Sequence, residues 1–139
     1  MNQAPWKGWI IDISLKDRDF LSKLKVIKSL IEENVEGDNK QVWEVYTVEI
    51  ENADIANISR RLETQIKPEY YAHFTNGKEL LIIFSKKSFR IRLERVGEEK
   101  PFGVNYFKAT SEDKKIWQSA LEYGTNEGKV DKRYIIKVE

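Results

Sequence analysis

The chain carries one histidine, His73, in the stretch EYYAHFTNG (Glu69 to Gly77), and it has no cysteine. An imidazole that moves a proton needs a partner to fix its tautomer and a reacting group within hydrogen-bond reach. Two partners suggest themselves. Tyr71 lies two residues away, on the same side of an extended strand, and Asp12 lies on the first expected strand, GWIIDIS. His73, Tyr71 and Asp12 are therefore the candidate acid–base set. The competing expectation is a hydrogen-bonded histidine at the rim of a core. No G-x-S-x-G elbow, glycine-rich phosphate loop or G-x-G-x-x-G turn is present. With one histidine and no thiolate, a metal site would rest on carboxylates, which favour hard cations. The acidic run Glu32, Glu33, Glu36, Asp38 lacks calcium-loop spacing and reads as a solvated turn. No metal and no cofactor are expected.

A second set of residues points to different chemistry. If residues 70–93 form a meander, Tyr70 and Phe74 share a face with Arg90 and Arg92. Aromatic rings beside arginines on a sheet are how single-stranded RNA is stacked and its phosphates held. Leu81 and Ile83 fall on the same face and argue that a helix covers it, for which the segment Ile116–Tyr123 is available. In that case the arginines extend their stems over apolar surface. Trp117 and Tyr123 in this segment are further candidate binding aromatics. Trp6, Trp9 and Trp43 offer the lining of a ligand pocket, a dimer seam, or ordinary packing.

The elements that must position these residues follow from pattern. Asn76-Gly77 is a strong hairpin signal, since a type I′ turn needs positive φ at both central residues. It predicts Thr75 opposite Lys78, His73 opposite Leu80 and Tyr71 opposite Ile82. A turn at Lys86-Lys87, poor I′ chemistry, would pair Phe84 with Phe89 and Ile82 with Ile91. Alternation then puts Tyr71, His73, Leu80, Ile82, Phe84, Phe89, Ile91 and Leu93 on a core face. Upstream, GWIIDIS reads as a strand, and Asp17 or Asp19 caps a short helix over about 17–24. Residues 25–35 fit either a helix, through the stripe Phe20, Leu24, Ile27, Ile31, or the first strand of a hairpin turning at EGDN; the hairpin is preferred. Asn52 or Asp54 caps a helix whose Ile55, Ile58, Leu62 and Ile66 keep helical spacing, ended by Pro68. GEEKPFG reads as a loop and VNYFKA as a short strand. The start of the next helix resembles a capping box at Thr110–Asp113, and Gly124 is its expected C′ residue. Tyr134, Ile136 and Val138 alternate as a final strand or an ordered tail.

Composition bounds the function classes. The net charge is +1, with 34% charged and 40% hydrophobic residues, so no global field draws the protein to nucleic acid or an acidic membrane. Charge is uneven locally, acidic over 41–66 and basic over 67–95. No apolar run approaches the ~18 residues of a membrane span, and the first residues lack a signal peptide's pattern. A soluble cytoplasmic protein without membrane contact is expected.

Tyr70-Tyr71-Ala72-His73-Phe74, Ile82-Ile83-Phe84, the spacing Trp117–Ala120–Glu122-Tyr123-Gly124, and the early IIDISLKD together resemble a family of small bacterial and archaeal proteins of uncharacterised function. That family shares a (W/Y)YAHF strand and a W-x-x-A-x-E-Y-G helix end. The resemblance implies extended structure over residues 25–50 and no particular activity. Its usual GIP-type turn and QLDF-like ending are replaced here by Gly128-Lys129-Val130 and RYIIKVE.

The fold is expected to be α+β, one domain over residues 1–139. Its mixed or antiparallel sheet of five to seven strands has helices mainly on one face, fitting a ferredoxin-like plan with an added β-meander. The expected function is a non-enzymatic module binding a small ligand or a protein, with a homodimer as one form. An enzyme using His73 is the first alternative. A single-stranded RNA binder using Tyr70, Phe74, Arg90 and Arg92 is the second, disfavoured by the charge.

Overall fold

A computed structural model describes residues 4–101 and 103–139, and for Asn34 and Glu36 the backbone only. Position 102 of the GEEKPFG loop lies outside the described residues, as do positions 1–3 of the chain's start. In chain order the elements are β1 (Trp6–Ile11), β2 (Lys25–Glu36), β3 (Asn39–Ile50), α1 (Ile55–Gln65), β4 (Tyr71–Thr75), β5 (Glu79–Phe84), β6 (Lys87–Val96), β7 (Glu99–Lys100), β8 (Gly103–Val104), β9 (Phe107–Ala109) and α2 (Lys114–Asn126). Short 3-10 segments occupy Asp12–Ser14, Arg18–Lys23 and Lys132–Tyr134. Seven strands form one antiparallel sheet in the order β2-β3-β1-β4-β5-β6-β9, and β7 pairs with β8 alongside. The fold is α+β in a single domain.

The ambiguous stretch 25–35 is strand. Phe20 and Leu24 of the competing helical stripe enter the core, but Ile27 and Ile31 stay exposed. The stripe thus loses its burial beyond Leu24, where β-branched residues favour the pleated sheet. Asp17 caps the preceding 3-10 segment by accepting from the Asp19 N–H. Ile27 is absorbed as a β-bulge between Val26 and Lys28. The β2–β3 hairpin turns at Gly37-Asp38, with Gly37 at φ 60°.

Both meander hairpins depart from the expected register by two residues. Thr75 pairs with Leu80, His73 with Ile82 and Tyr71 with Phe84, while Leu80 pairs with Ile91 and Phe84 with Lys87. At the first turn the Asn76 side chain, not a type I′ backbone, makes the reversal. Its Oδ1 accepts from the N–H groups of Lys78 and Glu79, Thr75 Oγ1 accepts from the Gly77 N–H, and Gly77 has φ 91°. This Asx geometry sets Thr75 opposite Leu80 in place of Lys78. The second turn falls one residue early, at Ser85-Lys86, because the Lys86 N–H bonds the Glu63 carbonyl near the end of α1 and Lys86 takes φ 75°.

The sheet has a core on each face. On one side Ile55 and Leu62 of α1 and Ile66 just past its end, with Phe20 of the 3-10 segment, pack on Trp6, Ile10, Val48, Phe74, Leu81 and Ile83. On the other, Trp117 and Ala120 of α2 pack on Leu80, Ile82, Phe84, Ile91 and Phe107. Two helical segments therefore share one face, and α2 takes the opposite one. The expected cover for the Phe74–Leu81–Ile83 face was 116–123; it is α1. Gly124 is not a C′ residue, since α2 runs on to Asn126. It is glycine because a Cβ there would lie 2.5 Å from the Phe84 ring. At the C-terminus Val138 bridges Phe107 in parallel, and backbone bonds from Phe107 to Lys137 and Ala109 to Glu139 pair the outer edge of β9 with an ordered tail.

Candidate functional site

Helix α2 packs over β5 and β6, and Phe107 and Gly103 close the same face over His73. Beside them, over β4, β1, β3 and β2, lies a cavity of about 620 Å³. Its floor is Trp9 and Ile11 of β1, Trp43 and Val45 of β3, and Tyr71 and His73 of β4; Glu32 and Glu33 of β2 border one side. The opposite wall is the segment Lys129–Asp131 with Tyr134, following α2. Two bonds pin that wall. The Glu69 N–H donates to the Gly128 carbonyl at 2.7 Å, and the Tyr71 hydroxyl donates to the Tyr134 carbonyl at 2.6 Å. Burial pushes the Tyr71 phenol above its ordinary pKa, so it stays a neutral donor.

His73 is 6% exposed. The β1–β4 pairing sets Trp9 beside it, and their rings stack at 5.2 Å between centroids, while Phe107 meets the imidazole edge-on at 6.0 Å. Gly103 lies against the ring's other end, where a Cβ would approach Nε2 to 3.1 Å. Nε2 has no hydrogen-bond partner among the described residues. Burial pulls the imidazole down to about 4, so it is neutral near pH 7.

The expected acid–base set is not assembled. Asp12 sits in the 3-10 turn past the end of β1, where its carboxylate accepts from the Ile13 and Glu44 N–H groups and faces Arg18 at 3.6 Å. Tyr71 is on the same face as His73, but its hydroxyl is committed to Tyr134. The expected rim histidine also differs from the one found, which is buried deeper and lacks the hydrogen bond.

The RNA-binding set is likewise not a stacking surface. Phe74 is fully buried under α1. Arg90 makes a bidentate pair with Glu79 at 2.8 and 3.0 Å and lies over the Trp6 ring. Arg92 clamps Asp113 through Nε and Nη2, and its backbone N–H bonds the same carboxylate. Tyr70 packs against the α1-side core and reaches the cavity rim. Trp117 is core, and Tyr123 donates to the Ser85 carbonyl at 2.7 Å and packs on Phe84 and Phe89, so neither lines the cavity.

Charge and strain set the cavity apart. Glu32, Glu33, Glu69 and Asp131 line it against one cation, Lys129. Glu33 is paired with Lys40 and Asp131 with Arg133. Glu32 and Glu69 make no ion pair among the described residues, and partial burial raises the Glu32 carboxyl above its ordinary pKa. Among the described residues three non-glycine residues have positive φ, and two of them, Glu69 at 80° and Lys129 at 59°, line this cavity. Such strain persists only where surrounding structure enforces it. Among the described residues no cluster of His, Asp or Glu is arranged to hold a metal ion, and no helix is long and apolar enough to cross a membrane. Compared with known proteins, the chain matches no protein-family model, no curated protein and no solved structure.

Proposed function

We propose that this protein is a binding module for a small organic cation, held in the cavity over β4, β1, β3 and β2. The observation that carries the reading is the lining itself. Five aromatic residues, Trp9, Trp43, Tyr70, Tyr71 and Tyr134, surround a space edged by Glu32 and Glu69, which make no ion pair among the described residues. A cavity of this size suits a drug-sized molecule. Aromatic faces attract a cation through their quadrupoles, most strongly when water is excluded, and this is the chemistry that recognises quaternary ammonium groups. The acid–base alternative lacks its partner, because the His73 imidazole touches Trp9, Phe107 and Gly103 and no carboxylate.

The strand order β4-β1-β3-β2, all antiparallel, supports a ferredoxin-like plan in which the first crossover helix is reduced to the 3-10 segment Arg18–Lys23 and the meander extends the β4 side. In that plan one sheet face is left without helices, and the cavity occupies it. A cytoplasmic setting and kinship with the (W/Y)YAHF proteins belong to the same proposal. The YAHF residues fit it by placement, with Tyr71 and His73 in the cavity and Ala72 and Phe74 in the opposite core.

Benzyltrimethylammonium and benzoate, compared by thermal shift and tryptophan fluorescence, test the reading. The cation is expected to raise the melting temperature and perturb the fluorescence, with both effects lost in Trp43→Ala; benzoate is expected to do neither. Equal effects from both, or from neither, would overturn it.

A further inference from the structure

The two edges of the sheet are treated differently. The β9 edge is covered by the chain's own tail. The β2 edge is twelve residues long, carries no proline, and presents Ile27, Ile31 and Val35 at 43%, 63% and 62% exposure. A bare edge strand of that kind is a template for another strand, and natural proteins usually blunt it. Here the single bulge at Val26–Lys28 blunts only one end, leaving a regular ladder from Lys28 to Glu36.

We propose that β2 pairs antiparallel with β2 of a second copy, so that two seven-stranded sheets become one. The occupant is argued from self-complementarity. In KVIKSLIEENVE the lysines lie in the first half and the glutamates in the second, so an antiparallel copy sets each lysine near glutamates while a parallel copy sets like beside like.

Symmetry narrows the register. The dyad of such a pair runs perpendicular to the sheet and keeps every side chain on its own face. Directly opposed residues also share a face, so the dyad must pass through a residue paired with its own copy. Placing it at Glu32 opposes two carboxylates. Placing it at Ile31 opposes the most exposed apolar residue with itself. Ser29 then faces the partner's Glu33, and Lys28 lies diagonal to the partner's Glu32, within reach of a long side chain. Ile27, at the bulge, comes opposite the partner's Val35. The structure assigns the Ile31 dyad, because this arrangement covers Ile27, Ile31 and Val35, the three most exposed apolar residues of β2, and opposes no like charges. It does not depend on what the cavity binds.

Sedimentation equilibrium of the whole chain tests the pairing. The wild type is expected to be a dimer, and Ile31→Lys and Ile31→Glu each a monomer with an unchanged far-ultraviolet circular dichroism spectrum, since position 31 is a surface site. Mixing the two variants is expected to restore a dimer, containing one copy of each, because the introduced ammonium then opposes the introduced carboxylate across the dyad. A monomeric wild type would overturn the pairing. So would a dimer that either substitution leaves intact, and two monomeric variants that stay monomeric when mixed would overturn the register.

Discussion

Replacing His73 by leucine should stabilise the protein and flatten its response to acid. Near neutral pH the buried Nε2 has no partner among the described residues, and an unpaired buried polar group costs about 1–3 kcal/mol. Leucine is close in volume and brings no polar atom, although it forfeits the stack on Trp9. A net gain of about 1 kcal/mol is expected. The pH term is larger. The folded imidazole has its pKa lowered from 6.5 to about 4, so between those values the unfolded chain binds a proton that the folded chain does not. Stability then rises with pH across this window and is lost as pH falls through it. Each pKa unit is worth about 1.4 kcal/mol, which makes the full loss about 3 kcal/mol, of which roughly 2 kcal/mol falls between about pH 7 and about pH 5. Urea denaturation of wild type and His73→Leu at both pH values isolates it, because the carboxylates titrate alike in the two proteins. The difference between variant and wild type should widen by about 2 kcal/mol on acidification. If it stays constant, His73 is either solvated or hydrogen-bonded in the folded state, and the burial argument fails.

Gly124→Ala should destabilise by about 1–3 kcal/mol through overpacking, because the added Cβ meets Phe84, even though alanine is the better helix former; a rise in melting temperature would mean that α2 does not lie against that ring. Arg92→Ala should lower stability at neutral pH and matter progressively less in strong acid. Arg92 holds the Asp113 carboxyl below its usual pKa, so that contribution is present above the ordinary carboxylate range and vanishes as pH falls through the folded value; thermal melts against pH would show the two curves converging. Tyr71→Phe removes the hydroxyl that pins Tyr134, and should weaken binding of benzyltrimethylammonium while changing the melting temperature by an amount typical of one hydrogen bond, about 1 kcal/mol.

The faces of the meander were legible from sequence although its register was not. Both hairpins slipped by two residues, and a strand's side-chain period is two, so every residue from Tyr71 to Leu93 kept its side. A slip of one would have inverted the whole assignment. The registers themselves depended on contacts from outside the hairpins or beyond turn propensity, namely the Glu63 carbonyl that captures Lys86 and the Asn76 side chain that replaces an I′ backbone. Helix α1 was readable because its apolar spacing and Pro68 agree; the expected cap is not made, since Asp54 stands at the N-cap without a side-chain bond and Asn52 accepts from the Trp6 indole. Gly124 misled because glycine ends helices often, and its actual cause, Phe84 forty residues earlier, carries no local mark. Tyr71 and His73 were placed correctly on one face, whereas Asp12 was misplaced because its strand ends one residue before it.

What was missed at the cavity was the pairing of β1 with β4, which brings Trp9 onto His73 from sixty-four residues away. Neither segment encodes that adjacency, but the aromatic supply gave a partial signal, since Trp9 and Trp43 were already candidates for a pocket lining. Of the two, Trp9 is buried at 5% exposure beside His73, and Trp43 is the half-buried ring at the cavity. Helix α2 packs over β5 and β6 and ends at Asn126, and the segment after it, with Lys129 at φ 59°, forms one wall of the cavity and is held to β4 by the Tyr71 hydroxyl. Trp6, on the other face of the same strand, is fully enclosed by α1, so the chain is capable of burying an indole in this sheet. Trp43 is left half-buried beside Glu32 at the cavity, and Glu69 and Lys129, both at positive φ, border the same space. These are the features on which the binding proposal rests, because such strain persists only where the surrounding structure enforces it.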